Sequence, residues 1–202
     1  VHCLDTLKLK HMIPFDKNRS YRRFYEEVEI PEGELLKMID AARLSPSSRN
    51  IQPIKYFISA ERGLNEKIFK TLAWAGYLKD WDGPCEGERP SAYIIQLHDK
   101  VIAPGYSCDH GITAQSILLQ AVDSGFGGCI IASVKREELA QIIGLGERYD
   151  IIQVIALGKP KEIVVIDEIK DNDYKYWRES SGTHHVPKRG LDELIVGLKS
   201  GK

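Results

Sequence analysis

Apolar residues recur at helical spacing in five stretches, with short apolar runs between them, so the chain reads as interleaved helices and strands. Pro31 to Leu44 predicts a helix: Leu35, Leu36, Ile39 and Ala42 share a face, Pro31 suits the first turn, and Glu32 and Glu34 lie at the positive end of the helix dipole. Ser45-Pro46 stops it, because a residue before proline is pushed out of helical backbone. Ile54 to Ala60 and Ser91 to His98 are rich in Ile, Tyr and Phe and predict strands, with a helix from Leu64 to Leu72 between them. Asp109 to Ser124 predicts the most buried helix. Its Ile112, Ala114, Ile117, Leu118, Leu119, Ala121 and Val122 wrap more than one face, as in a helix packed inside the core or across a subunit interface. Gly125-Phe126-Gly127-Gly128 closes it with left-handed glycine backbone, and Cys129 to Ser133 follows as a buried strand. Lys135 to Ile143 predicts a further helix, Ile151 to Gly158 the clearest buried strand, and Leu191 to Lys199 a last helix.

Two stretches escape this pattern. Trp74 to Pro90 is turn-rich and carries Trp74, Tyr77 and Trp81, which either pin the loop to the core or face a ligand. Lys170 to Arg189 is polar and irregular, so residues 160–202 read as an extended arm ending in a helix and reaching over a partner. Residues 1–202 are expected to form one domain, or one subunit of an intertwined dimer, since 202 residues at 43% hydrophobic content supply a sizeable core. Within it, residues 1–11 are expected to be disordered or incidental, Met12 being a candidate native start in a chain that begins at Val1.

Charge narrows the function. A formal net charge of −1 argues against a nucleic-acid or membrane-surface partner, both of which favour a strong basic excess, so any basic cluster serves a local purpose. No apolar run approaches the roughly 18 residues of a membrane span, and the first ten residues lack a secretory apolar core, which leaves a cytoplasmic location by default. Cys3, Cys85, Cys108 and Cys129 contain no C-x-x-C pair, so no zinc or iron-sulfur site is expected and the thiols read as small hydrophobes. His184 and His185 are adjacent, which points their rings apart and disfavours shared metal ligation.

The chemistry concentrates in two segments. Arg19-Ser20-Tyr21-Arg22-Arg23-Phe24 gathers guanidinium forks and a hydroxyl in a stretch too polar for the core, which suits a doubly charged phosphate. Pro46-Ser47-Ser48-Arg49-Asn50-Ile51-Gln52-Pro53 is a proline-bracketed run that sets backbone groups and short polar side chains against a flat ligand. In this order, with Ala41-Ala42-Arg43-Leu44-Ser45, the glycines at 125–128, Ala156-Leu157-Gly158-Lys159-Pro160 and the basic pair Lys188-Arg189, the chain resembles the nitroreductase family over most of its length.

The resemblance implies an α+β sandwich, a mostly antiparallel sheet flanked by helices, assembled as an intertwined homodimer that holds FMN at its interface. By that resemblance Arg19 and Ser20 hold the phosphate with Lys188 and Arg189, and Arg22 reaches the ribityl chain or the N1/O2 edge of the ring. Pro46, Ser47, Ser48 and Asn50 are laid against the ring by the second subunit, and Ala132 and Ser133 offer backbone N–H groups to N5. The implied activity passes hydride from NADH or NADPH to a small organic acceptor such as a nitroaromatic or quinone. Flavin destruction, dehalogenation or azoline oxidation within the family, or a flavin-binding module without turnover, remain open. No side chain is singled out as a catalytic acid or base, no metal is implied, and no G-x-G-x-x-G follows a strand. Asn18 departs from the family, which commonly has a basic residue there, so Arg23 or the tail pair is a candidate replacement.

Overall fold

The computed structural model describes residues 15–201, so residues 1–11 and Met12 lie outside what can be compared. One antiparallel sheet organises the chain. Its strands are β1 (Phe24–Tyr25), β2 (Ile54–Ser59), β3 (Ala92–Asp99), β4 (Gly127–Ile131) and β5 (Tyr149–Pro160). β5 is the axis of the sheet: β3 pairs along one edge, with β2 outside it, β4 pairs along the opposite edge, and β1 pairs at the far end of β5.

Alternation along the central strands fills both faces, because successive side chains point to opposite sides. On one side Ile94, Ile155 and Leu157 meet Leu35, Met38 and Ala42 of α1 (Glu32–Arg43) and Ala114, Ile117, Leu118 and Ala121 of α3 (Asp109–Asp123). On the other, Tyr93, Ile95, Leu97, Val154 and Ala156 meet Ile68 of α2 (Arg62–Phe69) and Leu139 of α4 (Arg136–Ile142). All eight residues of β3 are consequently buried. Of its buried polar residues, Gln96 is satisfied by donating to Thr113 Oγ1 at 2.9 Å and accepting from Gln153 at 2.6 Å.

The fold agrees with the expected antiparallel sandwich, and the boundaries differ for physical reasons. Leu36 is 54% exposed although placed on the buried face of α1; Met38 takes the core position with Leu35 and Ala42. α2 starts earlier than expected because Glu61 caps it, accepting from Gly63 and Leu64 N–H at 2.7 and 2.6 Å. β4 begins at Gly127 and stops before Ala132. Of the glycines between 125 and 128, Gly125, at φ +79°, serves the left-handed turn. Gly127 and Gly128 are strand residues in which a Cβ would lie 2.6 Å from the Tyr21 ring and 2.4 Å from the Ala156 carbonyl.

The tail departs most. Its irregular-looking stretch contains β7 (Trp177–Arg178) and β8 (His184–Lys188), which with β6 (Val164–Glu168) form a three-stranded sheet, β8 parallel to β6 and antiparallel to β7. The expected helix Leu191–Lys199 is a single turn, α5 (Leu191–Leu194), after which Val196 and Leu198 are fully exposed. A short helix needs an apolar partner surface, and among the described residues nothing covers that face.

Candidate functional site

Arg22, Ala132 and Ser133 meet in one cleft. It has a volume of about 190 Å³ and its floor comes from Cys129, Ile130 and Ile131 at the end of β4, its far wall from Ala73 to Gly76. The isolated bridge between Ser20 and Gly128 brings the polar segment before β1 alongside β4, and Tyr21 N–H donates to the Gly128 carbonyl at 3.0 Å. The carbonyl of Ala132 accepts from Arg136 at 3.1 Å and that of Ser133 from Ala73 N–H at 3.0 Å. Both carbonyls of this turn are thus engaged within the protein. Burial pushes the Cys129 thiol up, so it lines the floor as a neutral group.

The two neighbouring arginines are committed differently. Arg23 forms a bidentate pair with Glu88, at 2.5 and 2.6 Å, and Lys161 reaches the same carboxylate at 3.0 Å. Arg23 is thus tied to Glu88 and does not line the cleft; Asn18 itself donates to Gln115 at 3.2 Å. Arg22 keeps its guanidinium at the cleft, where Nη1 lies 3.1 Å from the Ser20 carbonyl and 3.3 Å from His184 Nε2, under the Tyr176 ring at 4.9 Å. Arg19 donates through Nη2 to the Phe15 carbonyl at 2.8 Å, while its Nε is buried without a partner among the described residues. Neither Arg19 nor Ser20 lines the cleft itself, and a guanidinium N–H without a protein acceptor is a donor that suits an anionic ligand.

The other candidates lie elsewhere in the chain. Ser47, Ser48 and Asn50 form an exposed turn after α1, in which Arg49, Asn50 and Gln52 adopt left-handed backbone at φ 52°, 57° and 56°. Buried Asp109 holds that turn: its carboxylate accepts from Ser47 Oγ at 2.5 Å and Ser48 N–H at 3.0 Å, and Ser47 Oγ accepts from Gln52 N–H at 2.8 Å. Pro46 precedes the turn and is exposed. Lys188 ends β8, and Arg189 is occupied by Glu193 at 2.9 Å and Asn172 at 3.1 Å; among the described residues no hydrogen bond joins either to Arg19 or Ser20. A larger cavity of about 410 Å³ lies apart from all of these, lined by Glu26, Glu29, Glu66 and Glu86 with Arg62 and Arg89, a lining ill suited to a phosphate.

The sequence profile described as the nitroreductase family matches residues 16–80 and 89–159, about two thirds of the chain. The chain belongs to the nitroreductase family. Solved nitroreductases share its fold: a nitroreductase family protein from Clostridium novyi NT, at 23% identity, superposes with a TM-score of 0.61 over 72% of this chain and 82% of that one. An FMN-dependent nitroreductase from Clostridium difficile R20291, at 20% identity, has a TM-score of 0.61 over 92% of this chain and 96% of that one. In sequence, a Methanothermobacter thermautotrophicus protein provisionally named NADH dehydrogenase/NAD(P)H nitroreductase is 30% identical over 113 residues, 55% of each chain. The match thus spans about half the length of that curated relative.

Both polar segments and the cleft lie within the matched stretches, and the tail after residue 159 lies outside them. That tail supplies groups the sequence did not single out. Glu162, its carboxylate fully buried, accepts from the backbone N–H groups of Arg22 and Arg23 and from Arg178 at 2.8 Å. Tyr176 and His184 meet Arg22 directly. Their separation from Arg22, more than 150 residues for each, left no local signal. Asp109 was visible only as the start of a helix.

Proposed function

We propose that this nitroreductase is an FMN-dependent oxidoreductase, active as a homodimer, that passes hydride from NADH or NADPH to a small organic acceptor such as a nitroaromatic or quinone. The observation that carries the reading is the meeting of Arg22 with Ala132 and Ser133 in one cleft, residues 110 positions apart that the family resemblance assigns to the same ring. Bound FMN supplies the two-electron carrier between donor and acceptor. Arg19 and Ser20 bind the phosphate end, Arg19 carrying a guanidinium N–H that has no acceptor among the described residues. Arg22 places positive charge at the cleft, where it stabilises an electron-rich ligand, and the Ala132–Ser133 turn presents N–H donors. A single chain encloses only about 190 Å³, below the roughly 300–1,000 Å³ of ordinary ligand pockets, so the site is completed by Ser47, Ser48 and Asn50 of a second copy. Lys188 and Arg189 would join the phosphate by rearrangement of the exposed end of β8 or from the second copy.

The protein is expected to purify yellow with FMN, which NADH or NADPH bleaches anaerobically. Arg19→Ala should weaken FMN binding by about 1.5–3 kcal/mol in a fluorescence titration, the scale of a charge-assisted hydrogen bond. Colourless protein that FMN does not reconstitute would overturn the reading; a flavin that binds but is not bleached by either nicotinamide would leave a binding module.

A further inference from the structure

We propose that His184 is a positioning residue for Arg22: as a neutral acceptor, with Tyr176 on the guanidinium face, it fixes the arginine at the cleft without cancelling its charge. The inference rests on the reading that Arg22 meets bound FMN.

The tautomer follows from the partner. A guanidinium only donates, so at 3.3 Å from Arg22 Nη1 the His184 Nε2 must accept, and the ring proton resides on Nδ1. The second hydrogen of Nη1 goes to the Ser20 carbonyl at 3.1 Å, so two acceptors fix Nη1 in the guanidinium plane. Tyr176 closes the face, its ring 4.9 Å from the guanidinium carbon and 5.3 Å from the His184 ring. Among the described residues no protein group accepts from Arg22 Nε or Nη2, which remain for a ligand.

His184 is fully buried, and its Nδ1 has no partner among the described residues. Leaving a buried donor unpaired works against stability, so packing alone does not account for histidine here. Its surroundings keep it neutral: burial first, then Arg22, Arg178 and His185, hold its pKa down at about 4. Neutrality matters because of what stands beside it. The nearby buried carboxylate, Glu162, is directed to Arg178 and to backbone N–H groups and not to the Arg22 guanidinium. A carboxylate in the place of His184 would orient Arg22 equally well but neutralise the field it offers a ligand. The imidazole orients and leaves the full positive charge facing the cleft. All of this comes from the tail, beyond the stretch the family profile matches.

The test uses the full-length protein and FMN itself, reading the dissociation constant by flavin fluorescence and the reduction potential of the bound flavin by spectroelectrochemistry. His184→Phe, which keeps a planar ring without an acceptor, should weaken FMN binding about five- to tenfold and lower the potential. His184→Gln, whose amide oxygen can accept in place of Nε2, should restore both towards wild type. His184→Glu should keep FMN bound but lower the potential by opposing the charge of Arg22. Where His184→Phe does not fold, Tyr176→Leu, at a half-buried position, should weaken binding several-fold with its melting temperature retained. Arg22→Ala separates the two levels of inference. If Arg22→Ala shifts affinity and potential while His184→Phe or Tyr176→Leu shifts neither, the positioning role is overturned and the flavin site stands. If Arg22→Ala shifts neither, the placement of Arg22 at the flavin falls, and the role of His184 with it.

Discussion

Arg22 and Arg23 are adjacent and chemically identical, and their partners give them opposite tasks. Arg23 grips Glu88, and its hydrogen bond, opposed by burial and reinforced by Lys161, holds that carboxyl down at about 2. Replacing Arg23 by Met should therefore cost about 2–3 kcal/mol in urea unfolding, because it removes the bidentate partner of a largely buried carboxylate and leaves it to Lys161 alone, while the FMN dissociation constant stays within about twofold of wild type. A comparable loss of FMN affinity would place Arg23 in the site after all. His184 gives a second residue-scale expectation. Its folded pKa lies below the unfolded value near 6.5, so its neutral form stabilises the fold above that value, and the contribution fades as pH falls towards about 4. The full effect is at most about 3 kcal/mol by the usual conversion. His185 works in the other direction: burial pulls it down, but Asp167 and Glu179 outweigh that and raise it, so its contribution is lost as pH rises through its folded pKa. The measurement is thus the difference between wild type and His184→Gln in unfolding free energy from pH 7 to 4, which should shrink with acid; a constant difference would show that His184 does not titrate as described.

At the scale of elements, the aromatic loop resolves into parts that the sequence could not distinguish. Trp74 is buried in the core with Ile68 and Leu139, its ring 5.7 Å from Phe69. Trp81 is half-buried beneath the Arg178 guanidinium at 4.5 Å. Tyr77, 47% exposed, instead clusters with Tyr174 and Tyr176 of the tail. Two of the three aromatics therefore pack against the protein, and Tyr77 is the one left most open to a ligand. Trp74→Ala should cost about 3–5 kcal/mol of stability, as truncating a buried tryptophan does. Tyr77→Ala should leave the melting temperature nearly unchanged and alter kcat/KM for an aromatic or quinone acceptor. Unaltered acceptor kinetics in Tyr77→Ala would remove the loop from acceptor choice. The turn after α1 makes a related point: its left-handed residues are held by Asp109 at the start of α3, so the segment proposed to face a flavin is shaped by a helix 61 residues further along the chain.

For the whole molecule, the incomplete cleft and the exposed apolar residues point the same way. Leu36, Leu44, Ile51 and Ile112 are all more than a third exposed on α1, the turn after it and α3, and Leu191, Leu194, Val196 and Leu198 are exposed at the end of the tail. A second copy would cover such surfaces and complete the flavin site, so assembly and FMN binding should be linked. On serial dilution, loss of dimer by light scattering and release of FMN by fluorescence should coincide. A monomer that retains FMN tightly would contradict the shared site.

The sequence by itself determined what depends on neighbours along the chain. The alternation that buries both faces of β3 and β5, the periodic face of α3 and the two polar segments were legible because strand and helix periods repeat over a few residues. Local rules misjudged Leu36, the two strand glycines and the last helix, since each depends on what packs against it. Only the tertiary structure decided which arginine is free to act. Arg22 and Arg23 share their sequence environment, and the difference between them is made by Glu88 on one side and by Tyr176 and His184 on the other. A charge takes its role from the groups that come within a few ångströms of it, and folding brings those groups from distant parts of the chain.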